Sequence, residues 1–258
     1  YIEHFILFIM IRTMKKAAIS AGKILRENFG KSINMQEKKG KGFVTKVDKT
    51  AEKKILSILN RKFLYSVIAE ESGKTKRKSE YTWIIDPLDG TTNYIRKIPL
   101  FCVSIALLKN GKPIASVIYH PMTKELFWAK KGKGAFLNGK RIKSLIKNSV
   151  LMAIDKGYSK KSAFKYLKSN SKIFRKYFDT RLFFCSSLEL AYLADGRFDC
   201  FIVNGDEVYD IAAGILIAQE AGCKVTNWKG EPWDKNNTDI VVAPEPLHKE
   251  LLKIILKK

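Results

Sequence analysis

Carboxylates in three separate segments are the residues most able to do chemistry in this sequence. Asp86 and Asp89 stand three positions apart, where the apolar run of residues 83–85 ends. Glu70 ends a second apolar run, and Asp210 opens an apolar helical segment. Charge is expensive to bury, and two ionised carboxylates this close repel each other unless a cation lies between them. Oxygen ligands of this kind suit a hard ion such as Mg²⁺, so the spacing indicates a divalent-metal site.

The residues that follow Asp89 are suited to bind an anion. Gly90, Thr91 and Thr92 fall at the start of a predicted helix, where backbone N–H groups favour a phosphate oxyanion. Glycine at this position lets a ligand come close to the backbone. The other interpretation is that Asp86 and Asp89 are turn and helix-capping residues, which is a common role of Asp.

Three segments resemble the motifs of one enzyme family. They are AEES at 69–72, WIIDPLDGTTNY at 83–94 and YDIAAG at 209–214. In this order and at these spacings they are similar to the inositol monophosphatase family of Mg²⁺-dependent phosphomonoesterases, and the resemblance extends almost end to end. Bacterial members of the extragenic-suppressor (SuhB-like) branch are especially similar. A string as long as DPLDGTTN is far more specific than a lone glycine motif.

The resemblance implies a set of metal ligands. Glu70, Asp86 and the carbonyl of Leu88 would hold a first Mg²⁺. Asp86, Asp89 and Asp210 would hold a second, and a weaker third ion would lie near Glu70. The reaction implied is a metal-assisted hydrolysis, in which one ion activates water and another stabilises the leaving oxygen.

The resemblance also implies which residues handle water and substrate. Thr91, with its hydroxyl paired to Asp48, would orient the attacking water, and Glu70 completes the catalytic set. Asp48 taken alone is typical of a helix N-terminus. The backbone N–H groups of Gly90 and Thr91 would bind the phosphate. The substrate-binding residues implied are Asp89, Gly90, Thr91, Thr92 and Asp210.

The implied activity is hydrolysis of a small phosphorylated polyol, with inositol 1-phosphate as the first substrate and Li⁺ as an inhibitor. A fructose-1,6-bisphosphatase or a 3′-phosphoadenosine phosphatase is the alternative on the same fold. Val203 departs from the family pattern, because relatives that act on inositol phosphates place an acid there. Asp206 and Glu207 are the nearby acids that could replace it. Phe184 stands where a glycine would fall, and a Phe in an apolar run is more typical of core packing.

The chain is strongly basic, with a net charge of +23 over 258 residues. Such a field attracts nucleic acid, anionic membrane or phosphorylated small molecules. The lysines are scattered along the whole chain, which favours a solvated surface over a dedicated nucleic-acid face. Suppressor-type relatives are associated with RNA polymerase and ribosomal RNA maturation, so a protein that binds RNA or the transcription machinery is the competing function. Relatives are usually dimers, which implies a homodimer.

The cysteines and histidines indicate neither a zinc site nor a disulfide framework. Four cysteines and three histidines are widely dispersed, and no two cysteines form a Cys-x-x-Cys pair. Reduced core cysteines favour a cytoplasmic protein. The apolar residues 1–11 are too short to cross about 30 Å of hydrocarbon. They are expected to begin a helix over residues 4–29 that ends near Gly30, and a peripheral membrane foot is the minor alternative.

The remaining pattern predicts an α+β fold. Helical spacing and alternating strands point to layers of sheet and helix, and the resemblance implies an αβαβα sandwich. One domain over 1–258 is expected, with lobes at roughly 1–148 and 149–258. Residues 31–46 are expected to form an exposed basic loop. Pro87 is expected to force a turn that brings the flanking carboxylates to one side.

Overall fold

An eight-stranded and a five-stranded β-sheet alternate with three layers of helix in the computed structural model, and a two-stranded sheet stands apart from them. The described residues are 2–32, 35–38, 42–147, 149–155, 171–173, 175–177 and 179–256. The helices that lie entirely within the described residues are α1 (Ile2–Asn28), α2 (Lys46–Asn60), α3 (Thr91–Ile95), α4 (Ser186–Ala194), α5 (Val208–Glu220) and α6 (Leu247–Leu256).

The larger sheet has eight strands and is mostly antiparallel. Its strands are β3 (Ser66–Ala69), β4 (Gly73–Thr75), β5 (Tyr81–Asp89), β6 (Cys102–Lys109), β7 (Lys112–His120), β8 (Glu125–Lys130), β9 (Gly134–Leu137) and β10 (Lys140–Ile142). They lie in the order β10-β9-β8-β7-β6-β5-β3-β4, and β3 and β5 are parallel neighbours. Asn-Gly pairs predict tight hairpin turns, and the chain has them at Asn110-Gly111 and Asn138-Gly139. Both predictions are confirmed, since each pair joins two antiparallel strands.

The smaller sheet has five strands in the order β12-β11-β13-β15-β14. They are β11 (Met152–Asp155), β12 (Thr180–Arg181), β13 (Cys200–Asn204), β14 (Lys224–Thr226) and β15 (Asp239–Ala243). Strand β11 pairs in parallel with β12 and β13, whereas β15 pairs antiparallel with β13 and β14. The sequence pattern does not indicate the two-residue strand β12.

Alternating side chains on the strands explain the order of the layers. Trp83 and Ile85 of β5 pack with α1 and α2 on one face of the large sheet, whereas Ile84 packs on the other face with α4 and α5. In β13, Val203 joins the same central cluster and Ile202 faces the outer cluster that contains α6. The period of two residues along each strand therefore builds the expected αβαβα sandwich.

Two local expectations need correction. Residues 31–46 are not a plain loop, because strands β1 (Met35–Lys38) and β2 (Gly42–Thr45) pair antiparallel within them. Residues 39–41, between the two strands, lie outside the described residues. The lysine-rich residues 73–80 are likewise expected from the sequence to form a loop, but this stretch begins with strand β4, which extends the large sheet.

The apolar N-terminal pattern is confirmed as a helix, α1. Within the residues that the structure describes, no helix combines the length and the hydropathy needed to cross a bilayer. The division into lobes at 1–148 and 149–258 stays a prediction.

Candidate active site

Strand β5 presents Asp86 and Asp89 through an irregularity in its pairing with β6. Asp86 lies opposite Ser104 and Asp89 lies opposite Cys102, so two residues of β5 face one residue of β6 between these pairs. This is a β-bulge, and proline is tolerated at a bulge because it has no N–H to donate. The predicted turn at Pro87 is therefore wrong, since the chain continues as a strand.

Three buried carboxylates meet at the end of this strand. Asp86, Asp89 and Asp210 each place one oxygen within 4.8 Å of the others, and all three are buried. Asp210 lies in the first turn of α5, where its Oδ2 accepts a hydrogen bond from the backbone N–H of Glu207 at 2.9 Å. The convergence that the family resemblance implies is present in the structure. Capping alone does not explain it, because a helix cap does not need two further buried carboxylates beside it.

Burial and the repulsion between neighbouring carboxylates favour the neutral form of these groups. Burial and the negative charge of Glu70 raise the pKa of Asp86 well above its usual value. Burial likewise raises the pKa of Asp89, and the charge of Asp210 adds to the effect. A divalent ion at this position would favour the ionised carboxylates and reverse both shifts.

Glu70 lies beside this cluster because β3 runs parallel to β5. Its backbone N–H donates to the carbonyl of Ile85 at 3.1 Å, and its side chain shares a hydrogen bond with Asp86. The next two backbone N–H groups, of Glu71 and Ser72, donate to the carboxylate of Glu52 at 2.9 and 2.8 Å. Glu52 is buried and positions the segment that carries Glu70.

The sequence arguments did not identify Glu52. A sequence signal exists, because Glu52 falls at helical spacing between Asp48 and Ile55, on the face of α2 that turns inward. A carboxylate on the buried face of a helix requires partners, which here are two backbone N–H groups.

Asp48 and Thr91 are in contact as the family resemblance implies. Thr91 Oγ1 is 3.4 Å from Asp48 Oδ1 and donates to the carbonyl of Leu88 at 3.0 Å. Asp48 also takes part in the capping box of α2, where its Oδ2 accepts from the N–H and hydroxyl of Thr45. Both interpretations of Asp48 are thus present together. Burial raises the pKa of Asp48 to about 6, although the hydrogen bond from Thr45 opposes the rise and Glu70 adds to it.

Gly90, Thr91 and Thr92 lie where the strand gives way to helix α3, as predicted. Gly90 has a φ of 88°, which an L-residue rarely adopts. A Cβ on Gly90 would lie 2.7 Å from the carbonyl oxygen of Leu100. Glycine is therefore required here both for its conformation and for the close approach of another backbone segment.

Ser187 connects the carboxylate of Asp89 with the backbone of Asp210, a role that was not predicted from the sequence. Its backbone N–H donates to Asp89 Oδ2 at 2.7 Å, and its hydroxyl donates to the carbonyl of Asp210 at 2.6 Å. The start of α4 thus holds Asp89 in place and ties it to α5. A backbone donor leaves no signature in side-chain type, so only the fold could identify it.

The two positions that depart from the family pattern have different environments. Val203 is fully buried in β13 and packs in the central core. Phe184 is 43% exposed with a φ of 53°, so the interpretation of this residue as core packing is wrong. Asp206 is buried and accepts from the hydroxyl of Ser186 at 2.6 Å. Burial and the charges of Asp155 and then Asp210 raise the pKa of Asp206.

Known proteins match almost the whole chain. A model of the inositol monophosphatase family matches residues 9–258. The fructose-1,6-bisphosphatase/inositol-1-monophosphatase of Aquifex aeolicus is 37% identical over 254 residues, which are 96% of this chain and 95% of that protein. The Nus factor SuhB of Escherichia coli is 36% identical over 229 residues, or 86% of each chain.

Solved structures agree as well. The extragenic suppressor protein suhB from Bartonella henselae matches with a TM-score of 0.90 at 32% identity, covering 95% of this chain and 98% of that one. The match confirms the α+β fold, and the region covered by the family model contains all three sequence motifs. The chain therefore belongs to the inositol monophosphatase family.

Proposed function

We propose that this phosphatase is a Mg²⁺-dependent phosphoric monoester hydrolase acting on a small phosphorylated polyol, with inositol 1-phosphate as the first candidate. The observation that supports the proposal best is the group of Asp86, Asp89 and Asp210, whose oxygens lie within 4.8 Å of one another in a buried setting. Such a group is stable as carboxylates only beside a cation.

The donor set fits magnesium. All the candidate ligand atoms are oxygens, which Mg²⁺ prefers, and few carboxylates serve each ion. In the proposed arrangement Glu70, Asp86 and the carbonyl of Leu88 hold one ion. Asp86, Asp89 and Asp210 hold a second, and a third lies near Glu70. When bound, magnesium supplies positive charge that activates water and stabilises the leaving oxygen.

Thr91 and Asp48 position the attacking water in this proposal. The hydroxyl of Thr91 directs its proton towards Asp48 and the carbonyl of Leu88, at 3.4 and 3.0 Å. Its lone pairs are thereby oriented to accept a hydrogen bond from water. Asp48 in its ionised form keeps this orientation and takes up the proton that the water loses.

The phosphate and the leaving group occupy neighbouring regions. Backbone N–H groups of Gly90 and Thr91 bind phosphate oxygens, with Thr92, Asp89 and Asp210 completing the substrate site. Asp206 is better placed than Glu207 to replace the acid missing at Val203, because it is buried and close enough to Asp210 for the two charges to interact. A carboxylate here would accept hydrogen bonds from the hydroxyls of a polyol.

A substrate panel tests the proposal. Initial rates are measured with inositol 1-phosphate, fructose 1,6-bisphosphate and 3′-phosphoadenosine 5′-phosphate, with and without Mg²⁺ and with added Li⁺. The variants are Asp89→Asn and, as a matched control, Asp234→Asn, whose carboxylate is exposed. We expect Mg²⁺-dependent, Li⁺-sensitive turnover of at least one substrate, lost in Asp89→Asn and kept in Asp234→Asn. Absence of such turnover on the whole panel contradicts the proposal, and preference for a bisphosphate identifies the alternative substrate class.

A role in transcription is the second candidate function. It is supported by the net charge of +23 and by a relative named Nus factor SuhB. RNA affinity that falls steeply with salt and is unchanged in Asp89→Asn would support it, because counterion release governs such binding and the metal site does not. We also propose that the protein is cytoplasmic and forms a homodimer. Sedimentation equilibrium measures its oligomeric state.

A further inference from the structure

Two buried thiols lie beside Asp89, and the proposed hydrolysis uses neither of them. Cys102 begins β6 directly opposite Asp89, and Cys185 immediately precedes helix α4. Both side chains are fully buried. Cys102 Sγ lies 3.8 Å from Cys185 Sγ and 3.9 Å from Asp89 Oδ2. One donor atom from each of the three residues lies within 4.8 Å of the others.

The separation of the two sulfurs matches that of two ligands on one metal ion. A tetrahedral zinc ion with Zn–S bonds of about 2.3 Å keeps two thiolates about 3.8 Å apart. The observed separation is 3.8 Å, so the two sulfurs already stand at the distance that one shared ion requires. A disulfide would require the sulfurs to approach to about 2 Å, which the present packing does not provide.

The ligand type also differs from that of the carboxylate cluster. Sulfur ligands select zinc and other soft or borderline ions, whereas carboxylates alone select magnesium. Asp89 belongs to both groups, and its Oδ2 already accepts the N–H of Ser187 at 2.7 Å. A dication bound between the thiols would lie next to the proposed magnesium position and repel the ion there.

We propose that Cys102, Cys185 and Asp89 form a second metal site, selective for Zn²⁺ and similar thiophilic ions, whose occupation weakens magnesium binding at Asp89. Binding of each ion releases the two thiol protons and forms two metal–sulfur bonds, with no change of oxidation state. The inhibitory part rests on the proposed hydrolysis, whereas the metal site itself does not.

Cobalt spectroscopy tests the site directly. Co²⁺ bound to thiolate gives a near-ultraviolet charge-transfer band that carboxylate ligands do not give, so the titration is done with excess Mg²⁺ present. We expect one thiolate-bound Co²⁺ per chain in the wild type, displaced by Zn²⁺, and loss of the band in Cys102→Ser and Cys185→Ser. The matched control is Cys200→Ser, which alters a buried thiol of the outer core and should keep the band.

Two results would refute the proposed metal site. Either the wild type gives no charge-transfer band, or the band persists in Cys102→Ser and Cys185→Ser. If those variants fail to fold, the double variant Cys200→Ser/Cys223→Ser decides the matter, because it keeps only the proposed ligands among the four cysteines. The band must then remain, and its loss refutes the proposal.

Enzyme kinetics test the inhibitory part. Zn²⁺ should inhibit competitively with Mg²⁺, and Cys102→Ser should raise the inhibition constant at least tenfold relative to Cys200→Ser. Equal inhibition of the two variants would mean that zinc acts at the carboxylates, which overturns the inhibitory role. If no substrate is turned over, the proposed function fails, whereas the cobalt titration still decides whether the thiols bind a metal.

Discussion

Substitution of Gly214 by Ala should damage the site through the spacing of two helices. Gly214 lies one turn after Asp210 in α5, and Leu190 lies one turn after Ser187 in α4. A Cβ on Gly214 would meet Leu190 Cβ at 2.5 Å and Leu190 Cδ1 at 2.6 Å. An ordinary carbon–carbon contact is about 3.5–4.0 Å, so the helices must separate locally by about 1 Å.

The expected change in the free energy of unfolding follows from two terms. Overpacking costs about 1–3 kcal/mol, and the better helix propensity of Ala returns up to about 1 kcal/mol. Because α4 and α5 are enclosed between two sheets, we expect a net loss near 2 kcal/mol and a melting temperature about 4–8 °C lower. The same displacement acts on the 2.6 Å bond from Ser187 to Asp210, and a 1 Å misplacement in a catalytic site costs about 100-fold in rate.

Thermal denaturation and the Mg²⁺-dependent phosphatase assay are measured on the same preparations. Gln219→Ala is the control, because it adds Ala to an exposed position of the same helix. It should leave both quantities nearly unchanged. A Gly214→Ala variant that melts lower yet keeps its full rate would refute the link between helix spacing and the site. Unchanged stability would refute the steric reasoning itself.

Four further predictions concern three residues around the carboxylates. Because burial raises the pKa of Asp48 to about 6, activity should fall below about pH 6 as this one carboxylate becomes protonated. A pH–rate profile of Asp48→Asn should lack this fall. The same raised pKa means that the metal-free protein loses up to about 3 kcal/mol of stability as the pH rises from about 4 to about 6. Melting curves recorded in EDTA over this pH range compare the wild type with Asp48→Asn. Thr91→Val should lose at least tenfold in kcat with little change in melting temperature, whereas Thr91→Ser, which keeps the hydroxyl, should retain most activity. Glu52→Gln removes one of two acceptors for the N–H groups of Glu71 and Ser72. It should lower the free energy of unfolding in denaturant by about 1–3 kcal/mol and weaken the Mg²⁺ affinity measured by calorimetry. Unchanged magnesium affinity would show that Glu52 does not support the metal site.

The central carboxylates could be predicted from the sequence because their chemistry is local. Asp86 and Asp89 are three positions apart, and the cost of burying two charges requires a cation whatever the surrounding fold. The strands and helices with a clear hydrophobic periodicity could also be predicted locally, because the spacing of apolar residues indicates which face is buried. Convergence of Asp210 with them required the family resemblance, since no local pattern connects segments so far apart.

The remaining features depend on pairing between distant segments. Strands β1 and β2 were missed because the described side chains of β1 are exposed, so burial imposes no alternation on them. The bulge at Pro87 depends on where β6 happens to pair. Cys102 and Cys185 are 83 positions apart, and dispersed cysteines were therefore interpreted as unrelated core residues.

The hydrogen bond from Ser187 to Asp89 has an evolutionary consequence. Its donor is a peptide N–H, so any residue except proline at this position can supply it. Neighbouring side chains, including Phe184 and Ser186, can diverge while that bond to Asp89 stays intact. A lineage could therefore change what the enzyme recognises through drift in this segment, without first having to lose and regain its hold on the metal.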